Sequence, residues 1–295
     1  MMKALLICPK PCAAVSALSE KLPLAALPLF GSSVVESWLV HLAGLGVRNV
    51  VIHASDRVDT IRAIAKNGIR WGLEVDVISV PPEQSDAEVC ENNSKASRER
   101  SETADIIEVM DHLPNQSGSN MFASYANWFH AVINRLPHAL TPDRVGIREI
   151  APGIFSGHRS QIAHDATLTA PCWIGDHVVI GASVAIGPQA VIEDRSIIRP
   201  GSLIQRSIIG ADTLVGHHTE IRDSLVSGER LTNWCSGFTM RVADVFLLAS
   251  LRAVSTEQRE RPAKTTLRPT HTSAPQSFAK PIHDATFTTV SQDNA

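Results

Sequence analysis

From Ile162 onward, every sixth residue is aliphatic: Ile162, Leu168, Ile174, Ile180, Ile186, Ile192, Ile198 and Ile204. After one five-residue step the pattern resumes at Ile209, Val215 and Ile221. Gly175, Gly181, Gly187, Gly210 and Gly216 each follow a ladder residue, and small residues (Ala166, Ala190, Ser196, Ser202, Thr219) stand four positions after one. A helix cannot hold this pattern, because six residues do not return to the same helical face. A flat sheet would need a period of two. A chain that turns a corner every six residues satisfies it: three short strands make one triangular coil, the ladder stacks inside, and the glycines are expected to ease the corners. Each buried aliphatic side chain then contributes about 1.5–3 kcal/mol.

The first half carries a different rhythm. Lys3 to Cys8 is a short apolar strand, and Ser33-x-x-Glu36 is a capping box for a helix to about Leu45, stopped by Gly46. Asn49 to Ala54 reads as a buried strand and Asp56 to Lys66 as a second helix ended by Asn67-Gly68; Leu73 to Val80 and Ile106 to Met110 read as further strands. Strands alternating with helices predict a parallel, doubly wound sheet, an α/β Rossmann-like domain. The polar stretch 85–103 reads as a long loop or insertion. Met121 to Leu136 predicts a helix whose Phe122, Tyr125, Trp128 and Phe129 share one face, a pattern of core packing rather than of a ligand cage. The resulting division is an α/β domain over 1–115, a helical connector over 116–150, a β-helix over 151–232, a cap over 233–252 and a disordered tail over 253–295.

Composition narrows the function classes. Hydrophobic residues make up 44% of the 295, enough for a substantial core. The formal net charge of −3 gives no electrostatic footprint for nucleic acid, and no apolar run approaches a membrane span. The short apolar stretch after Lys3 ends at Pro9 without a cleavage site, so a cytoplasmic location is expected. Cys8, Cys12, Cys90, Cys172 and Cys235 contain no C-x-x-C pair and read as reduced thiols. No lysine lies between Lys95 and Lys264, so any cationic chemistry there falls to Arg or His.

The six-residue pattern resembles the hexapeptide repeats of left-handed parallel β-helices, whose crossovers depart from the usual right-handed rule. The first half resembles the sugar-phosphate nucleotidyltransferases, through Lys3-Ala4-Leu5-Leu6-Ile7, Leu27-Pro28-Leu29-Phe30-Gly31, Gly44-x-Gly46-Val47 into Val50-Val51-Ile52, and Arg70-Trp71-Gly72-Leu73, in that order. Ala151-Pro152-Gly153-Ile154 and Phe246-Leu247-Leu248-Ala249-Ser250-Leu251 resemble what brackets the C-terminal β-helix of bacterial members. The resemblance implies nucleotide-sugar or polysaccharide metabolism, a nucleotide-sugar ligand, and Mg²⁺ if nucleotidyl transfer persists. Against it stand clear departures. The family's glycine-rich phosphate loop is here Pro9-Lys10-Pro11-Cys12-Ala13-Ala14, with prolines that remove amide donors. The family's P-K-P lysine is replaced in Pro23-Leu24-Ala25 by Leu24. The counterpart of its Mg²⁺-holding aspartate is Asp111, without the preceding glycine. The later catalytic lysine falls in the lysine-free stretch. These losses point to a catalytically degenerate domain with a binding, regulatory or scaffolding role. An active sugar-1-phosphate nucleotidyltransferase with an altered site is the variant reading.

A rival chemistry is acyl transfer from acyl-CoA, in which a histidine on the β-helix serves as general base. His164, His177, His217 and His218 are candidates. His217, in Val-Gly-His-His-Thr-Glu with Glu220 two residues beyond its neighbour, is the most suggestive, although no extruded loop interrupts 162–204. No metal-ligand spacing recurs among these histidines. The third class is non-catalytic: a rod with flat faces is an oligomerisation element for like or unlike partners, and Asn233 to Leu251 either caps its last coil or packs on a neighbouring subunit.

Overall fold

A computed structural model describes residues 2–83, 88, 105–116, 120–140 and 146–252. Met1–Ala253 form one compact unit. The expected tail (253–295), Cys90 and all of the expected 85–103 loop but Glu88 lie outside the described residues.

The first half folds as a parallel sheet with helices. Strands β1 (Lys3–Ile7), β2 (Asn49–Ala54), β3 (Glu74–Ser79) and β4 (Ile106–Val109) pair in the order β3-β2-β1-β4, all parallel. Alternation along β1 sends Ala4, Leu6 and Cys8 into the main core, and Leu5 and Ile7 to the opposite face with Val51 and Val109. Helix α1 (Val34–Gly44) starts where the sequence places it, with a reciprocal cap: Ser33 Oγ accepts from the Glu36 N–H at 3.3 Å and donates to Glu36 Oε2 at 2.8 Å. Helix α2 (Val58–Ala65) begins two residues later than Asp56, because Arg57 sits in a left-handed conformation bonded to Asp56. The helix expected over 121–136 starts only at Tyr125 (α3, Tyr125–Arg135), since Ser124 caps it by accepting from the Asn127 N–H. Its aromatic stripe is core: Phe122, Tyr125, Trp128 and Phe129 are buried, with Phe122 stacked on Trp128.

The second half is a parallel β-helix. Each coil contributes one strand to each of three sheets, with partners 18 residues apart (Thr167 with Ala185, Ala185 with Leu203) and 17 apart after the five-residue step (Leu203 with Glu220). The ladder from Ile174 to Ile221 forms the buried interior. Three details depart from the sequence reading. The inward column begins one step before Ile162, inside the expected 151–232 rod: on the strand Ile154–Ser156, the buried Ser156 takes the ladder place beneath Ile174. Ile162 and Leu168 are only partly buried, because they lie on terminal strands with a coil on one side only.

The third departure concerns the corners. Apart from Gly187, the glycines that follow the ladder do not make the left-handed turn. That conformation falls to residues two or three after the ladder: His177, Ser183, Gln189, Arg195, Gly201, Arg206, Asp212, His218 and Asp223. The glycine after the ladder is needed for close stacking instead. A Cβ on Gly175 would lie 2.4 Å from Asp194 Oδ1, and one on Gly216 would lie 1.8 Å from the Phe246 carbonyl oxygen. The small residues serve the same stacking: the buried Ser196 and Ser202 hydroxyls donate to the Gly210 and Gly216 carbonyls of the next coil, at 2.9 and 2.6 Å.

The rod is finished by an antiparallel meander, Ser224–Ser227, Arg230–Asn233 and Thr239–Arg241, and by Leu248–Ser250 pairing with Thr213–Val215. Leu248 joins the ladder core, whereas Phe238, Val245 and Phe246 remain exposed.

Candidate functional site

The nucleotidyltransferase resemblance places a site at the C-terminal ends of the sheet strands. After β1 the chain runs through Pro9, which is buried, into a short 3-10 turn at Ala13–Val15 whose Val15 is fully buried. The segment carrying Leu24 folds as a second 3-10 turn, Leu24–Ala26. All three of its residues are core, and Leu24, the position at which the resemblance implies a phosphate-binding lysine, is 1% exposed. The side chain therefore contributes packing and presents nothing to a phosphate.

Asp111 follows β4 as expected. Its Oδ1 lies 2.8 Å from His112 Nδ1, while His112 Nε2 faces Glu108 at 3.8 Å. The His112 ring is fixed edge-on against Trp38, whose indole N–H donates to the His112 carbonyl oxygen at 3.2 Å. The Asp111 carboxylate is thus engaged by an imidazole. Among the described residues no group of three or more His, Cys, Asp or Glu side chains is gathered to hold a metal ion.

On the rod, His217 and His218 are exposed, with ring centroids 6.5 Å apart. His218 is a left-handed corner residue whose ring lies over Gly201, where a Cβ would come within 2.3 Å of its Nδ1. Glu220 does not orient either ring: its carboxylate is held by Arg222 Nε at 2.5 Å. His164 is exposed, and His177 occupies another left-handed corner edge-on to His158. The histidines are therefore distributed along the rod rather than gathered around one cavity.

What the sequence reading missed is the junction between the halves. The segment Leu27–Gly31 forms a tight turn between the two-residue strands Pro28–Leu29 and Ser32–Ser33, with Phe30 and Gly31 both at positive φ. Their two N–H groups donate to the two oxygens of Glu193, each at 2.7 Å, and Glu193 itself is 1% exposed. The Phe30 ring packs on Trp173 at 5.0 Å between centroids. Trp173 belongs to an outward stripe on one face of the rod, Phe155, Trp173, Val191, Ile208 and Leu225, one residue per coil in direct register. The α/β half buries this stripe in its own core. Phe129 of α3 is stacked on Trp234 at 4.3 Å beyond the last coil.

Residues 154–242 match the family model of the GMPPB C-terminal domain. The match starts on the first strand of the rod and ends just past its antiparallel meander. It supports, at a coarse level, the sugar-nucleotidyltransferase resemblance, on the GMPPB-like rod rather than on the α/β half. No curated protein matches the chain.

Proposed function

We propose that this chain is a sugar-nucleotidyltransferase-related protein of nucleotide-sugar or polysaccharide metabolism whose α/β half no longer transfers nucleotidyl groups. It acts in the cytoplasm as a binding, regulatory or scaffolding subunit, and its rod serves assembly with like or unlike partners. The observation that carries this reading is Leu24, sealed in the core at the place where the family keeps a cation for phosphate. Two further features support it: prolines occupy the loop after β1, and His112 engages the Asp111 carboxylate.

Phosphoryl-type transfer relies on positioning and on stabilising negative charge, and each missing donor or cation removes about 3–4 kcal/mol of that stabilisation. The geometry gives the acyl-transfer reading no comparable support, because His217 stands in solvent and Glu220 is committed to Arg222. The test is incubation of the purified full chain with nucleoside triphosphates, Mg²⁺ and a panel of sugar 1-phosphates. No pyrophosphate release above background is expected. Sustained release that disappears in Asp111→Asn would overturn the proposal in favour of an active enzyme with an altered site.

A further inference from the structure

The α/β half covers the outward stripe of the rod unevenly. Phe155, Trp173 and Val191 are sealed, whereas Ile208, toward the last coil, is only partly buried. Beside it the two halves enclose a cleft of about 160 Å³. Its apolar walls are Leu18 and Leu22 after β1, Leu27, Trp128 of α3, and Ile208 and Leu225 of the rod. Pro9, Lys10, Leu24 and Asp111 stand outside it, so this is not the place where the family resemblance would seat a nucleotide.

The cleft is polarised from floor to rim. At the floor stands the buried Glu193, with both oxygens committed to the Phe30 and Gly31 amides. At the rim, Arg230 holds Glu20, and Arg252 holds Asp212 at 2.9 Å. Lys21 brings a further cation to the same place. A Cβ on Gly228 would lie 3.6 Å from Lys21 Nζ and 3.0 Å from Ser250 Cβ, so the ammonium stands where the last coil and the cap meet over the cleft. The volume is that of a single ring: a chamber of about 150 Å³ walled by Leu, Ile and aromatic side chains stays dry and accepts one benzene.

We propose that this cleft binds a small aromatic monocarboxylate, ring inward and carboxylate at the rim. The ring packs against Trp128 and the leucines, and the carboxylate meets Lys21 with Arg230 and Arg252 beside it. The polarity sets the orientation, because a carboxylate turned inward would meet the Glu193 charge across a low-dielectric wall. Such a ligand touches both halves at once and so favours their docked arrangement. The site is independent of whether the α/β half retains catalysis.

Titration calorimetry of the full chain at low salt tests this, with benzoate as the probe, benzyl alcohol as the ring without the charge and acetate as the charge without the ring. Saturable binding of benzoate is expected, at least about fivefold tighter than benzyl alcohol, with none of acetate. The thermal midpoint should rise with benzoate concentration. Lys21 is exposed, so Lys21→Glu should keep the fold while reversing its charge at the rim, and should weaken benzoate at least about fivefold. Ala211→Leu, which fills the cleft from its wall, should weaken benzoate too; if that variant fails to fold, Lys21→Glu decides. Arg199→Glu, just beyond a strand of another face of the rod, should leave binding unchanged. Four results would overturn the proposal: no benzoate binding to the wild type, acetate or benzyl alcohol binding as tightly as benzoate, wild-type benzoate affinity in Lys21→Glu or in folded Ala211→Leu, or equal weakening in Arg199→Glu.

Discussion

Replacing Glu193 by alanine removes, in one step, the acceptor of both turn amides that tie the α/β half to the rod. Each bond is 2.7 Å long and has an ionised acceptor. Such bonds contribute about 1.5–3 kcal/mol each, and a donor left buried without a partner keeps its full desolvation cost. The Phe30 N–H is buried and takes the upper part of that range, whereas the Gly31 N–H is partly exposed and takes the lower. Together they set a loss of about 3–5 kcal/mol for Glu193→Ala. For a folding unit of this size, about 2–4 °C of midpoint follows each kcal/mol, so the thermal transition should fall by roughly 6–20 °C. Glu193→Gln keeps one acceptor oxygen and should lose about half as much. Thermal unfolding followed by circular dichroism, with a urea titration alongside, measures both. If Glu193→Ala unfolds within about 0.5 kcal/mol of the wild type, in the range of ordinary surface substitutions, the latch contributes nothing and the reasoning fails.

Ile198→Ala, inside the ladder, should cost about 2–5 kcal/mol, whereas Phe246→Ser, at a side chain 82% exposed, should stay within about 0.5 kcal/mol in the same urea titration. Asp212 is held down to about 2 by the hydrogen bond from Arg195 Nε and by Arg252. Its folded value lies below the ordinary carboxylate value near 3.9, so its stabilising contribution is present above about pH 4 and is lost as pH falls toward 2. Because Arg195 is largely exposed, solvent limits that contribution to about 1 kcal/mol; the stability gap between wild type and Asp212→Asn should be constant near neutrality and close in acid. Burial pushes the Cys8 and Cys172 thiols up to about 12. At pH 8 a disulfide reagent should therefore label the exposed Cys235 at once and reach Cys8 and Cys172 only on unfolding.

The ladder was legible because a buried column at fixed spacing admits only aliphatic side chains, and nearly every position from Ile174 to Ile221 lies where the period puts it. The elements of the sheet were legible for the same reason, through their apolar runs and the Ser33–Glu36 cap. The corners were misassigned because glycine suggests a turn, whereas here it marks backbone-to-backbone approach between coils. The outward stripe was present in the sequence as a slower beat: the residue before the ladder is large and apolar at Phe155, Trp173, Val191, Ile208 and Leu225, once per coil. A period of six averages that beat with the two other faces and hides it. The Glu193 latch left no local signal, since it joins groups far apart in the chain: Glu193 reaches Phe30 across 163 positions.

The coil geometry also determines which substitutions feel one another. Along the rod a side chain's nearest neighbours are often not i ± 3 or i ± 4 but one coil away: Asp165 with Ser183 at a separation of 18, and Arg195 with Asp212 at 17. Strands in neighbouring coils lie about 4.8 Å apart, well inside the Debye length at physiological salt, so a charge introduced at one corner acts first on residues a full coil up or down. Compensating changes among related rods should therefore cluster at a lag of 18 in the early coils and shift to 17 once the partners span the short step after Ile204.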